Sequence, residues 1–136
     1  MNQVTGLKKL GSVGLMAVLL GLSGCASVSN ATAPVPTIKQ SMQGMKGALQ
    51  PAMDSATMAE FAKHVAQFKA STADATRVIY SGTAAEQAKY AEGMTKMKMG
   101  LAMLDATMAK GDLMASKQVL KSLLAVRDEY HKLLKK

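Results

Sequence analysis

The 136-residue chain has one cysteine, two histidines, three prolines and no tryptophan, and aromatic residues make up only 4% of it. A single thiol excludes an intramolecular disulfide, a cysteine-based zinc site and a cysteine-ligated iron–sulfur cluster. Two histidines, His64 and His131, exclude a multi-histidine metal site. Three prolines and 11 glycines leave little material for the turns of an all-β domain. Acids are scarce as well: 9 Asp and Glu stand against 17 Lys and Arg, a formal charge of +8. Apolar residues, by contrast, are plentiful. They make up 49% of the chain and 12 residues are methionine, which suffices for one core in a single, helical domain.

Residues 1–24 read as a targeting segment and stand apart from the fold. Lys8 and Lys9 form a basic start, and the apolar run over 10–22 is too short to span a bilayer. It ends in Leu22-Ser23-Gly24-Cys25, which resembles the lipobox of bacterial lipoprotein precursors. That resemblance implies that Cys25 becomes the first mature residue and carries acyl chains, two or more of which anchor a protein stably. Ala26, where an aspartate would signal retention at the inner membrane, implies the outer membrane. The mature protein is then expected in the periplasm, held to the membrane by its lipid. Removing 1–24 takes two lysines and no acid, lowering the charge from +8 to +6. This is too modest and too evenly spread for nucleic-acid binding, but it suits a partner with an acidic surface or anionic lipid headgroups.

Residues 25–37, with small side chains, two prolines and no charge, form an extended tether. Helical spacing begins at Ile38. Ile38, Met42, Met45 and Leu49 share one face, and Pro51 is expected to end or kink this short first helix. Thr57-Met-Ala-Glu60 is a capping box. The second helix follows, with a stripe of Phe61, Val65, Phe68, Thr72, Ala75 and Ile79, and Ser81-Gly82 is expected to stop it. Thr83-Ala-Ala-Glu86 repeats the capping signal before Tyr90, Met94, Met97, Leu101, Leu104 and Met108. Lys110-Gly111 ends the third helix and Asp112 caps the fourth. There Leu113, Leu120, Leu124, Arg127, His131 and Leu134 are expected along one face. Three short connections between amphipathic helices imply an all-α, antiparallel up-down-up-down four-helix bundle over 38–136, expected to be a monomer.

That topology returns the C-terminus to the end where the bundle begins. At 1.5 Å per residue, Met42 and His131 lie about 6–8 Å in from the same end, on neighbouring helices. A thioether and an imidazole facing each other across an apolar interior suit haem iron, and Met/His axial ligation raises its reduction potential. Here the sequence resembles the cytochrome b562 family. Ile38-Lys-Gln-Ser-Met42-Gln-Gly-Met-Lys-Gly-Ala-Leu49 is similar to that family's first helix, and Arg127-Asp-Glu-Tyr130-His131 to its last. The resemblance, running from about residue 38 to 135, implies a periplasmic electron carrier. It implies one non-covalent haem b, with Met42 and His131 as axial ligands. It also implies that Arg127 borders the haem, and that Met45, Leu124, Tyr90 and Met94 pack against the porphyrin.

Other readings of these residues are weaker. His64 falls at the edge of its helix's stripe, a boundary position at the far end of the bundle. Met94, Met97, Met99 and Met103 invite a Cu(I) reading, because thioethers bind that ion, yet the first two lie on the core stripe and the last two do not. No carboxylate pair, Ser/His/Asp set or HExxH motif supports an enzyme, and Asp128 and Glu129 are expected on a face away from the site. The remaining rival is a cofactor-free bundle lipoprotein that acts in binding, sensing or copper handling.

Overall fold

The computed structural model describes residue 34 and residues 36–134. The expected leader 1–24, the acylation site Cys25 and most of the tether lie outside the described residues. Four helices follow: α1 (Ile38–Asp54), α2 (Met58–Arg77), α3 (Ala84–Ala109) and α4 (Leu113–Leu134). There is no strand among the described residues.

Side-chain caps set all four helix starts. Thr57 accepts from the Glu60 amide at 3.2 Å, and Thr83 from the Glu86 amide at 3.3 Å, as the two capping boxes require. A third box, Thr37 with Gln40, fixes the start of α1 beside Met42. Asp112 caps α4 through the Ala115 amide at 2.8 Å, and Gly111 makes the preceding turn at φ 74°.

Pro51 does not end α1. It lies in the last turn, where it removes only the bond to the Gly47 carbonyl, and both residues are exposed, so water can satisfy that group. The helix closes beyond it, where the Ser55 hydroxyl donates to the Pro51 carbonyl at 2.8 Å. Helix α2, in turn, ends at Arg77, before Ser81-Gly82. Val78 is extended, which turns Ile79 out to 91% exposure instead of onto the stripe, while Tyr80 swings back to stack on Tyr90.

Packing divides the bundle into two hairpins. Helix α1 lies along α2 and α3 along α4, whereas α2 meets α3 only slightly. Small residues explain the tight pairs. A Cβ at Gly44 would collide with the Ser71 side chain, one at Gly100 with Leu123, and one at Gly93 would sit 2.7 Å from Tyr130 Cγ. Larger side chains fill the space between the hairpins: Phe61, Phe68, Met45, Met97, Leu104 and Leu120 are all essentially buried. Each contributes about 1.5–3 kcal/mol of apolar burial. By contrast, the ion pair between α2 and α3, Lys69–Asp105 at 2.6 Å, is solvent-exposed and contributes at most about 1 kcal/mol.

The stripe of α4 differs from the sequence expectation. Ser116, Leu120, Leu123 and Tyr130 are the buried residues, with Arg127 half-buried between them. This 4-3-4-3 register is what Gly93 and Gly100 select, because they receive Tyr130 and Leu123. His131 follows Tyr130 and is therefore exposed at the mouth of the bundle rather than on the core stripe.

Candidate functional site

At the end where α1 starts and α4 finishes, the hairpins enclose a cavity of about 200 Å³. Met42 and Met45 line it from α1, Ala75 from α2, and Tyr90, Gly93, Met94 and Met97 from α3. Helix α4 closes the circle with Val126, Arg127, Tyr130 and His131. Met42 and His131 also line an adjoining outer groove of about 480 Å³ between α1 and α4, together with Lys39, Gln43, Lys46, Arg127 and Asp128. The two expected ligands, far apart in sequence, thus meet at one mouth.

Six expected site residues border the cavity: Met42, Met45, Tyr90, Met94, Arg127 and His131. Leu124 does not. It lies half-buried about two turns deeper than His131, packed against the hydrophobic core, because the α4 register turns Arg127 and Tyr130 into the cavity instead. Sequence reasoning passed over Met97, Tyr130, Tyr80 and Val126 as lining residues. For Tyr130 the signal was available: it continues the spacing 116–120–123–127 along the face that meets two glycines of α3.

The aromatic floor is held by hydrogen bonds. Tyr80 and Tyr90 stack with centroids 5.3 Å apart and planes at 20°. The Tyr80 hydroxyl donates to the Leu134 carbonyl at 3.0 Å, and that of Tyr90 to the Ala75 carbonyl at 2.5 Å. Burial pushes the Tyr90 hydroxyl above its ordinary pKa of 10.0, so it stays a neutral donor. On the outer side, Tyr130 donates to Glu92 at 2.7 Å, and Lys96 sits 5.0 Å from the centre of its ring. Lys89 reaches Glu92 at 2.9 Å. The Tyr130 hydrogen bond, followed by that from Lys89, lowers Glu92 to about 2. These contacts fix the residue immediately before His131.

Arg127 does not offer a free charge. Its Nε donates to Asp128 Oδ1 at 2.9 Å and its Nη2 reaches the same oxygen. Asp128, expected on a face away from the site, therefore borders the groove and neutralises the arginine.

Among the described residues no three His, Cys, Asp or Glu side chains converge on a common point. The available donors are the sulfurs of Met42, Met45, Met94 and Met97 and one imidazole, His131, in an apolar slot flanked by tyrosines, and that donor set fits a flat apolar macrocycle carrying an iron. Typical ligand sites measure roughly 300–1,000 Å³, so the inner cavity would have to widen to admit one, and α1 and α4, which touch less than α2 and α3, flank its mouth. The methionine run splits as expected: Met97 is 1% exposed and Met94 lines the cavity, whereas Met99 and Met103 are 66% and 62% exposed. His64 is half-buried within α2, beside the buried Val65.

Comparison with known proteins agrees with this geometry. No curated protein and no solved structure matches the chain. The family model described as Cytochrome b562 matches residues 37–135, from the cap of α1 to the end of α4. Members of that family bind haem b and carry electrons; they are not enzymes. The chain belongs to the cytochrome b562 family.

Proposed function

We propose that this protein is a periplasmic electron carrier that binds one non-covalent haem b between its hairpins, with Met42 and His131 as axial ligands. The observation that carries the reading is that these two side chains, from the first and last helices, line the same cavity and the same groove. Met42 and His131 would hold the group, which would supply single-electron transfer, and a methionine donor would raise its potential.

The chain's own residues supply positioning. The Thr37–Gln40 cap fixes the first turn of α1 and with it Met42. Tyr130, packed on Gly93 and bonded to Glu92, fixes the turn of α4 that presents His131. Met45, Met94 and Met97 offer polarizable, adaptable surface to a flat ring. Tyr80 and Tyr90, stacked at the α2–α3 connection, add an aromatic wall at the same end of the bundle.

The periplasmic location agrees with the family's usual compartment and with the leader-like segment 1–24. A lipid on Cys25, tethering the bundle to the outer membrane, is part of the same proposal. No helix among the described residues is long and apolar enough to cross a membrane. The redox partner is proposed to be a protein with an acidic surface, met by a monomer.

Absorption spectroscopy of the chain purified with its cofactor tests the reading. We expect a six-coordinate low-spin spectrum with a sharp reduced α band. His131→Ala should abolish it, and Met42→Ala should lower the reduction potential. Unchanged haem binding in His131→Ala, or no spectrum after reconstitution with excess hemin, would overturn the assignment. Mass spectrometry of the mature protein, showing or lacking acyl chains on Cys25, tests the tether separately.

A further inference from the structure

The groove outside the cavity differs in chemistry from the cavity itself. The cavity wall is apolar and aromatic, whereas the groove presents Lys39, Gln43 and Lys46 from α1 and Arg127 and Asp128 from α4. The two spaces share Ile38, Met42, Arg127 and His131, so they are parts of one continuous site. Such a site is shaped for an amphiphile with an apolar body and anionic ends.

The positive charge in the groove comes from α1. Arg127 is compensated by Asp128, which occupies both its Nε and Nη2. Lys39 and Lys46 lie seven residues apart, two helical turns, on one face of α1. Both are exposed, and neither makes an ion pair or hydrogen bond among the described residues. The first turn of α1 contains no acid, and the one acid of that helix, Asp54, is at its far end, bonded by Gln50. The helix dipole adds positive potential near Lys39. Two uncompensated cations thus face the mouth beside Met42.

Resting on the haem reading above, we propose that Lys39 and Lys46, rather than Arg127, hold the haem carboxylates. These two lysines set which edge of the haem faces solvent. Arg127 and Asp128 form a neutral clasp on the opposite wall, and the groove's net charge belongs to α1 alone.

The test titrates the apo form of the full chain with hemin and with hemin dimethyl ester, which lacks the carboxylate charges, at low and high salt. Lys39→Gln/Lys46→Gln should raise the hemin Kd by about 2- to 30-fold, the factor expected of two exposed charge pairs. The effect should shrink at high salt. Affinity for the dimethyl ester and the six-coordinate spectrum should be the same in both proteins. Equal hemin affinity in variant and wild type would overturn the proposal while leaving the haem reading intact. Equal losses for hemin and ester would overturn it too, by showing that the lysines act on the fold. If the unaltered chain binds neither porphyrin, the haem reading itself falls.

Discussion

A methyl group added at Gly93 tests how the site is held. Its Cβ would lie 2.7 Å from Tyr130 Cγ, 2.8 Å from Cδ1 and 3.2 Å from Cβ. Carbon atoms in contact prefer about 3.5–4.0 Å, so ring or helix must move by about 1 Å. The ring has little freedom: Tyr130 is 5% exposed, its hydroxyl is bonded to Glu92, and Lys96 covers one side. Overpacking of this kind costs about 1–3 kcal/mol, while replacing a helical glycine by alanine gains about 1 kcal/mol. Gly93→Ala should therefore range from neutral to about 2 kcal/mol destabilising. Gly47, with nothing within 4 Å of its added Cβ, isolates the propensity gain, and Gly47→Ala should stabilise by up to about 1 kcal/mol.

Urea unfolding of both variants reads the difference, which at typical slopes is on the order of 1 M in midpoint. Hemin titration reads the second consequence: displacing Tyr130 displaces His131, so Gly93→Ala should bind hemin more weakly and Gly47→Ala should not. Equal stabilisation by the two substitutions would refute the claim that Gly93 is there to admit Tyr130.

Acid stability and methionine oxidation supply further tests. Glu92, lowered from 4.5 to about 2 chiefly by the Tyr130 hydroxyl and then Lys89, contributes stability that is complete above about pH 4.5 and is lost as pH falls toward 2. Glu92→Gln should accordingly flatten the acid limb of the urea midpoint in that window, and an unchanged limb would show that solvent screens the cluster. Dilute peroxide followed by peptide mapping should oxidise Met99, Met103 and Met114, all more than 60% exposed, well before Met45 and Met97 at 1%. Met42, half-buried at the cavity mouth, should react more slowly in the haem-loaded protein than in the apo form, and equal rates would speak against thioether ligation.

Much of this architecture is legible in the sequence because local signals and apolar spacing agree. Thr57/Glu60, Thr83/Glu86 and Gly111-Asp112 mark helix boundaries chemically, and the structure puts the caps there. The stripes of α2 and α3 are read correctly up to Ala75 and through Met108. What escapes is set by contacts between helices. Ile79 leaves its stripe because Tyr80 is drawn onto Tyr90, a contact no local pattern announces. The face of α4 is ambiguous by one position at both 123/124 and 130/131, since leucine occupies both 123 and 124. Gly93 and Gly100 on the partner helix resolve it by accepting Tyr130 and Leu123. The cost of choosing the neighbouring register is the misplaced Leu124.

That same register explains why the site can take a ligand at all. Within each hairpin, glycines and alanines let the helices approach closely, so α1–α2 and α3–α4 pack as two tight pairs. At the far end Lys117 ties α4 to the turn after α1 through the Ser55 carbonyl at 2.7 Å. At the mouth, the α1–α4 groove shows no such bond among the described residues. A ligand bonded to Met42 on one hairpin and His131 on the other would staple that end. Binding only the folded form, it would add about 2.7 kcal/mol of stability at a free concentration 100 times its Kd. On the ligation proposed above, the exposed mouth is where His131 belongs: a ligand that closes the gap would find its donors at the edges of the gap, on the two hairpins it joins.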